Sequence, residues 1–339
     1  MSKLLVLCLI IKGYFSGLPS PFLPFLPILD EVNPDLFQFS LKLFFILASL
    51  SLFLNYKVRM SCIVLGLVFI VAILSSKTYY SNAKFFVGVI FLLTGLQGPN
   101  QGAWLIRWQL ILVYFGSGVN KLMEEDWWTG QYFEHWMVNV LHVEFYMDIS
   151  RSLPPLLFAK FLCWSTMIIE LILIPLFLLV KKDVLAIWIA VLFHTGALLL
   201  SNLSFGVFYA AALFSYLSLI QWPQSIKVYY RENNPFYKIL HKFLKPTDWD
   251  QLFHWSSESS TISNKNGFQV IINNKFTSGF KALKLLLFYH PVTHFLFALF
   301  ITLPKLEGIY EGIGAFILLA LFFPKSELLY DHILNKLWR

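Results

Sequence analysis

Eight apolar runs crowd the first 220 residues of this chain, at about 4–18, 36–54, 61–75, 85–97, 104–119, 157–180, 183–201 and 205–220. Within hydrocarbon, every backbone N–H and C=O must find its partner inside the protein, so runs of this kind fold as helices. A full crossing takes about 20 residues, and the shorter runs must borrow flanking aromatic side chains or lie tilted. Only 13% of the residues are charged and 58% are hydrophobic, where a soluble globular chain carries roughly a quarter charged. The chain therefore reads as mainly α, a polytopic helical membrane bundle of about eight spans. Residues 19–29 break the series. Pro19, Pro21, Pro24 and Pro27 remove amide donors and crowd the preceding turn, so irregular backbone is expected there, packed on protein or at the interface.

Charge placement orients the runs. Lys57 and Arg59 follow the second run, Lys181 and Lys182 the sixth, while Asp30, Glu31, Asp35, Glu124, Glu125 and Asp126 fall between other runs. Alternate crossings put both basic loops on one side, together with the N-terminus and residues 221–282. Lysine and arginine favour the cytoplasmic face, so that side is expected to be cytoplasmic, with Lys77, Lys84 and Arg151 running against the rule. The net charge of +7 sits mostly in the lysine-rich last third. That suits anionic lipid rather than nucleic acid, since no arginine-rich groove motif occurs. Cys8, Cys62 and Cys163 all lie in apolar runs and read as small core residues without disulfide or metal spacing.

Composition shifts near Gln221. KVYY (227–230), FYKILHKFL (236–244), a serine-rich stretch, FQVIINN (268–274) and SGFKALKLLL (278–287) give the order strand, helix, strand, helix of a small cytosolic α/β module. Two further apolar runs follow, 285–303 and 312–323, which either span the membrane or lie buried or interfacial. The domains expected are 1–223, 224–305 and 306–339.

Three ionisable residues stand out in the apolar runs. Lys121, in VYFGSGVNKLMEEDWWTG (113–130), closes an apolar run ahead of an acidic, tryptophan-rich turn. A charge there is a functional-site hypothesis. The plainer reading is an anchor that snorkels to the headgroups while Trp127 and Trp128 form an aromatic belt. His194 sits within the seventh run, as a pocket residue or a core histidine. Glu170 is the clearly intramembrane carboxylate, open to pairing with Lys121, Arg107 or His194, or to closing a structural polar network. His290 and His294 are four apart, but Pro291 lies between them and no third ligand is evident. No metal site is read.

The segment RWQLILVYFGSGVNKLMEEDWWTG (107–130) resembles the lysine-bearing segment of the vitamin K-dependent γ-carboxylase family, within the wider group of horizontally transferred transmembrane (HTTM) domain proteins. FHTGALLLSNLSFGVF (193–208), with QWP (221–223) beyond it, is similar to that family's later histidine-bearing helix. The likeness covers roughly residues 1–223. It implies Lys121 as the base toward a reduced vitamin K-type quinol, with His194 lining the pocket. Asn82 matches an asparagine at the head of an earlier span and, with Glu170, is a candidate for cofactor binding. The family's next residue is histidine. Here it is Ala83, which neither donates nor accepts a proton.

The C-terminal module resembles the DCC domain, a thioredoxin-like family whose opening turn reads YDGDCxxC. This chain has VYYRENNPFY (228–237), with Asn234 and Tyr237 where the cysteines would stand. Thiol–disulfide exchange needs those sulfurs, so a redox-inert module is expected. The two departures together favour a non-catalytic scaffold or accessory subunit of a membrane complex, partnered by the bilayer and other membrane-protein subunits. The alternative is a membrane enzyme with epoxidase- or carboxylase-like quinol chemistry. A transporter finds no inverted repeat to support it.

Overall fold

The structure is a computed structural model that describes residues 2–98, 103–201, 206–219, 223, 225–231, 234–248, 251–257, 268–290 and 292–293. The chain divides into two compact units, Met1–Ile220 and one that begins at Gln221.

The first unit is helical. Its elements are α1 (Ser2–Ile11), α2 (Pro34–Phe53), α3 (Val58–Ser75), α4 (Asn82–Leu96), α5 (Trp104–Leu122), the short α6 (Glu125–Thr129) and α7 (Gln131–Glu134), α8 (Glu144–Arg151), α9 (Leu157–Ile168), α10 (Ile174–Leu179), α11 (Asp183–Ser201) and α12 (Gly206–Ser218). A π-helical turn, Ile169–Leu173, joins α9 to α10 without a break, and another, His135–Val140, follows α7.

Among the described residues each of the eight runs in the first unit is helix over at least part of its length, but eight spans is too many on length and composition. Among the described residues three helices are long and apolar enough to cross a membrane: Pro34–Phe53, Val58–Ser75 and the joined Leu157–Leu179. By contrast α1 has 10 residues and α4 has 15. At about 1.5 Å per residue these fall short of a hydrocarbon core roughly 30 Å thick.

Local chemistry fixes the helix ends. The Asn33 side chain accepts from the Leu36 N–H at 3.0 Å with Pro34 in the first turn, and the Ser81 hydroxyl accepts from the Lys84 N–H at 3.3 Å, so each helix start has an orphan amide satisfied. Arg59 donates to the carbonyls of Gly95 (3.1 Å) and Leu96 (3.3 Å) at the end of α4. Glycines let α3 and α4 pack closely. A Cβ at Gly66 would lie 2.5 Å from the Leu92 side chain, and one at Gly95 would lie 2.6 Å from the Arg59 carbonyl. Close backbone approach through small residues is how apolar helices associate where no hydrophobic force draws them together. The proline-rich segment is irregular, as expected. Phe22 and Phe25 donate their N–H groups to the carbonyls of Ser75 and Leu74, both at 2.9 Å, and Leu23 accepts from Lys77.

The second unit comprises β1 (Ile226–Tyr230), α13 (Pro235–Leu244), β2 (Phe253–Ser257), β3 (Phe268–Ile272), β4 (Lys275–Ser278) and α14 (Gly279–Tyr289). The sheet order is β2-β1-β3-β4. β1 runs parallel to β2 and antiparallel to β3, with Val228 opposite both Trp255 and Val270. Ile226, Val228 and Tyr230 alternate into a core shared with Leu244, Phe253, Phe268 and Leu286. Two strands exceed the sequence expectation. β2 emerges from polar sequence because β1 offers it a parallel edge, and β4 follows a tight turn. In that turn Asn273 and Asn274 both adopt positive φ (47° and 63°), as two-residue hairpins require. The runs 285–303 and 312–323 and the expected domain 306–339 lie outside the described residues, except for 285–290 and 292–293.

Candidate functional site

The site is built where α5 meets the π-helical turn of α9–α10. Pro175 has no amide and its ring crowds the carbonyl four residues back, so the regular ladder cannot run through it. The helix widens instead, and Ile174 N–H bonds to the Ile169 carbonyl, the five-residue step typical of π-bulges at functional sites. Glu170 lies in this turn and is buried. Gly118 brings α5 up against the same turn, since a Cβ there would stand 2.6 Å from the Leu171 side chain.

One turn beyond Gly118, Lys121 reaches Glu170, Nζ to Oε2 at 2.6 Å. The ammonium also donates to the Ser117 hydroxyl at 2.6 Å and stands 5.1 Å from the centre of the Trp127 ring. Two turns back on α5, the buried Tyr114 hydroxyl and the buried His194 Nε2 are hydrogen-bonded at 2.9 Å.

These groups line one cavity of about 410 Å³, its remaining wall formed by apolar and aromatic side chains that include Trp127, Tyr132, Trp136, Phe193 and Phe208. A mostly apolar pocket with a few convergent polar groups is the ordinary form of a small-molecule site. Gly130 helps to set its aromatic wall. In a left-handed turn (φ 84°) it passes so close to α9 that a Cβ would meet the Lys160 nitrogen at 2.7 Å.

Of the residues singled out from the sequence, Lys121, Glu170 and His194 come together. Asn82 does not join them. It heads α4, where its side chain accepts from the Tyr80 hydroxyl at 2.7 Å, and neither it nor Ala83 lines the cavity. Of the partners open to Glu170, the chain uses Lys121. Arg107 is ion-paired with Asp183 at the start of α11 and donates to the Leu178 carbonyl at 2.9 Å. Tyr114 and Ser117 went unremarked in the sequence, although they lie seven and four residues before Lys121 on one helix face.

In the second unit, His290 is buried. Its Nε2 donates to the Leu244 carbonyl at 3.0 Å and its Nδ1 accepts from the Val292 N–H at 3.3 Å. Both ring nitrogens are thus occupied by backbone. Burial pushes this imidazole below its ordinary range, against a smaller upward pull from the Leu244 carbonyl. His294 lies outside the described residues. Among those residues no three His, Cys, Asp or Glu gather as a metal site. Asn234 caps α13, accepting from the Phe236 N–H at 2.9 Å. Tyr237 stacks on Phe268 with ring centres 5.0 Å apart, and burial pushes its phenol up.

No curated protein matches the chain, and no solved structure does. Three helices fit to cross a bilayer mark an integral membrane protein. Residues 97–228, which run from just before α5 into β1 and carry Lys121, Glu170 and His194, match the model of the HTTM domain family.

Proposed function

We propose that the first unit is a multi-pass, γ-carboxylase-like HTTM domain that binds a small amphipathic ring, a quinol of the vitamin K class, in the cavity beside Lys121. The observation that carries this is the Lys121–Glu170 pair at the wall of a mostly apolar cavity. A mostly apolar cavity with a few convergent polar groups supports a ligand there. The substitution that weighed toward a scaffold, Ala83, falls at the head of α4 and takes nothing from the cavity wall.

The pair has the capacity for one proton. A ring hydroxyl that donates to Lys121 as the ammonium hands a proton to Glu170 leaves the lysine charged and the carboxyl neutral, a general-base arrangement. Tyr114 and His194 offer a second polar contact across the ring. On this reading the N-terminus and residues 221–282 face the cytoplasm. The order of the second unit, strand–helix–strand followed by a hairpin and helix, supports a DCC, thioredoxin-like module over 224–305, with 306–339 as a separate tail.

The non-catalytic scaffold stands as the second reading, favoured by Asn234 and Tyr237 at the cysteine positions. A naphthoquinone titration of the purified protein, followed by tryptophan quenching, separates the two. We expect saturable quenching, weakened at least tenfold by Ala197→Phe, which fills the cavity. Lys121→Met should keep the binding but stop oxygen-dependent consumption of the reduced naphthoquinone. Absence of saturable binding in the wild type would leave only the scaffold.

A further inference from the structure

Helix α13 carries a second, outward apolar stripe that its own unit does not cover. Tyr237, Leu240 and Leu244 turn inward to the core of the second unit. Phe236, Ile239 and Phe243, spaced i, i+3, i+7 along another face, are 54%, 69% and 58% exposed. Three large apolar side chains in one stripe are more than a solvated helix face carries. Beside them, on successive turns, stand the exposed Lys238, Lys242 and Lys245, and no acidic residue occurs from Asn234 to Thr247. An apolar ridge flanked by lysines matches the interface of an anionic membrane, with the ridge entering the acyl boundary and the ammonium groups meeting the headgroups.

Chain length supports the same occupant. Seven residues separate the end of α12 at Ser218 from the start of β1 at Ile226, a reach of roughly 25 Å. If α12 lies in the bilayer, as the multi-pass reading has it, the linker tethers β1 within roughly 25 Å of it, and binding costs little translational freedom.

We propose that α13 is a peripheral membrane anchor whose Phe236, Ile239 and Phe243 insert into an anionic lipid leaflet under the grip of Lys238, Lys242 and Lys245. The test uses the full-length protein as Ile239→Cys, labelled with an environment-sensitive fluorophore; the native cysteines are fully buried and stay silent. The labelled protein is reconstituted into phosphatidylcholine vesicles with or without phosphatidylserine. With the anionic lipid we expect a blue-shifted emission, strong quenching by nitroxide-bearing lipid and protection from aqueous iodide. Replacing all three lysines by glutamate should cut the lipid quenching at least twofold. Quenching by iodide alone would overturn the proposal, and so would protection from both quenchers, which would mean that protein covers the stripe. Protein that fails to float with vesicles at all would instead defeat the membrane reading of the first unit on which the tether rests.

Discussion

At the scale of single residues, the Lys121–Glu170 pair decides most. Glu170→Leu leaves the Lys121 ammonium with Ser117 and the Trp127 ring but no counter-charge, and removing one partner of a buried pair costs about 3 kcal/mol or more. Lys121→Met leaves the carboxylate in the same position. The double variant, with neither charge, should recover most of that loss. Thermal midpoints of the three variants in one detergent check this. A double variant no better than its singles would mean that the pair is not mutually compensating. His290 gives a pH signature in the second unit. Its imidazole is held below the ordinary value of 6.5 by burial, so the unfolded chain takes up a proton that the folded one refuses. The contribution is therefore complete above pH 6.5 and is lost as the pH falls from there through the lower value of the folded state. His290→Gln should flatten the fall in unfolding midpoint below about pH 6.5 relative to wild type; parallel profiles would exclude His290 as the source.

At the scale of elements, the site depends on how closely α5 can lie against the π-helical turn. Gly118→Ala should force them apart and lower both folded yield and naphthoquinone binding. Gly116→Ala, where a Cβ meets nothing within 4 Å, should leave both unchanged. Both variants gain the same helix propensity, so a loss confined to Gly118→Ala would point to the contact, and an equal loss in Gly116→Ala would exclude it. Much of α5 was legible in advance. The apolar run, the terminal lysine and the tryptophans after it put Lys121 at the end of a helix, where α5 has it, and the 3.6-residue period carries Tyr114 and Ser117 with it. The π-helical turn was not legible, because hydropathy runs unbroken from 157 to 180 and does not register how the backbone bonds. Pro175 was the available signal. In the second unit, β1 and β3 were legible as the short runs KVYY and FQVIINN on either side of a helix-like segment. FHWSS (253–257) has one fully buried side chain, Phe253, and owes its strand to β1 beside it rather than to its own pattern. The number of spans was overread because apolar character and crossing length are separate quantities, and α1 and α4 have the first without the second.

For the whole molecule, the orientation can be read with one thiol. All three native cysteines are buried, whereas Ser257 is exposed at the end of β2. In the proposed topology Ser257→Cys should resist an impermeant maleimide in intact cells and react once they are opened; labelling of intact cells would invert the assignment. The tie between Arg107 and Asp183 has a consequence of a mechanical kind. Arg107 stands near the start of α5 and Asp183 at the start of α11, while Lys121 and His194 lie 14 and 11 residues further along the same two helices. At about 1.5 Å per residue those arms are roughly 21 and 16 Å long. Were the two helices to splay by about 5° about this ion pair, a tip would move by nearly 2 Å over arms of that length, the thickness of half an aromatic ring, and the Tyr114–His194 hydrogen bond is what resists it.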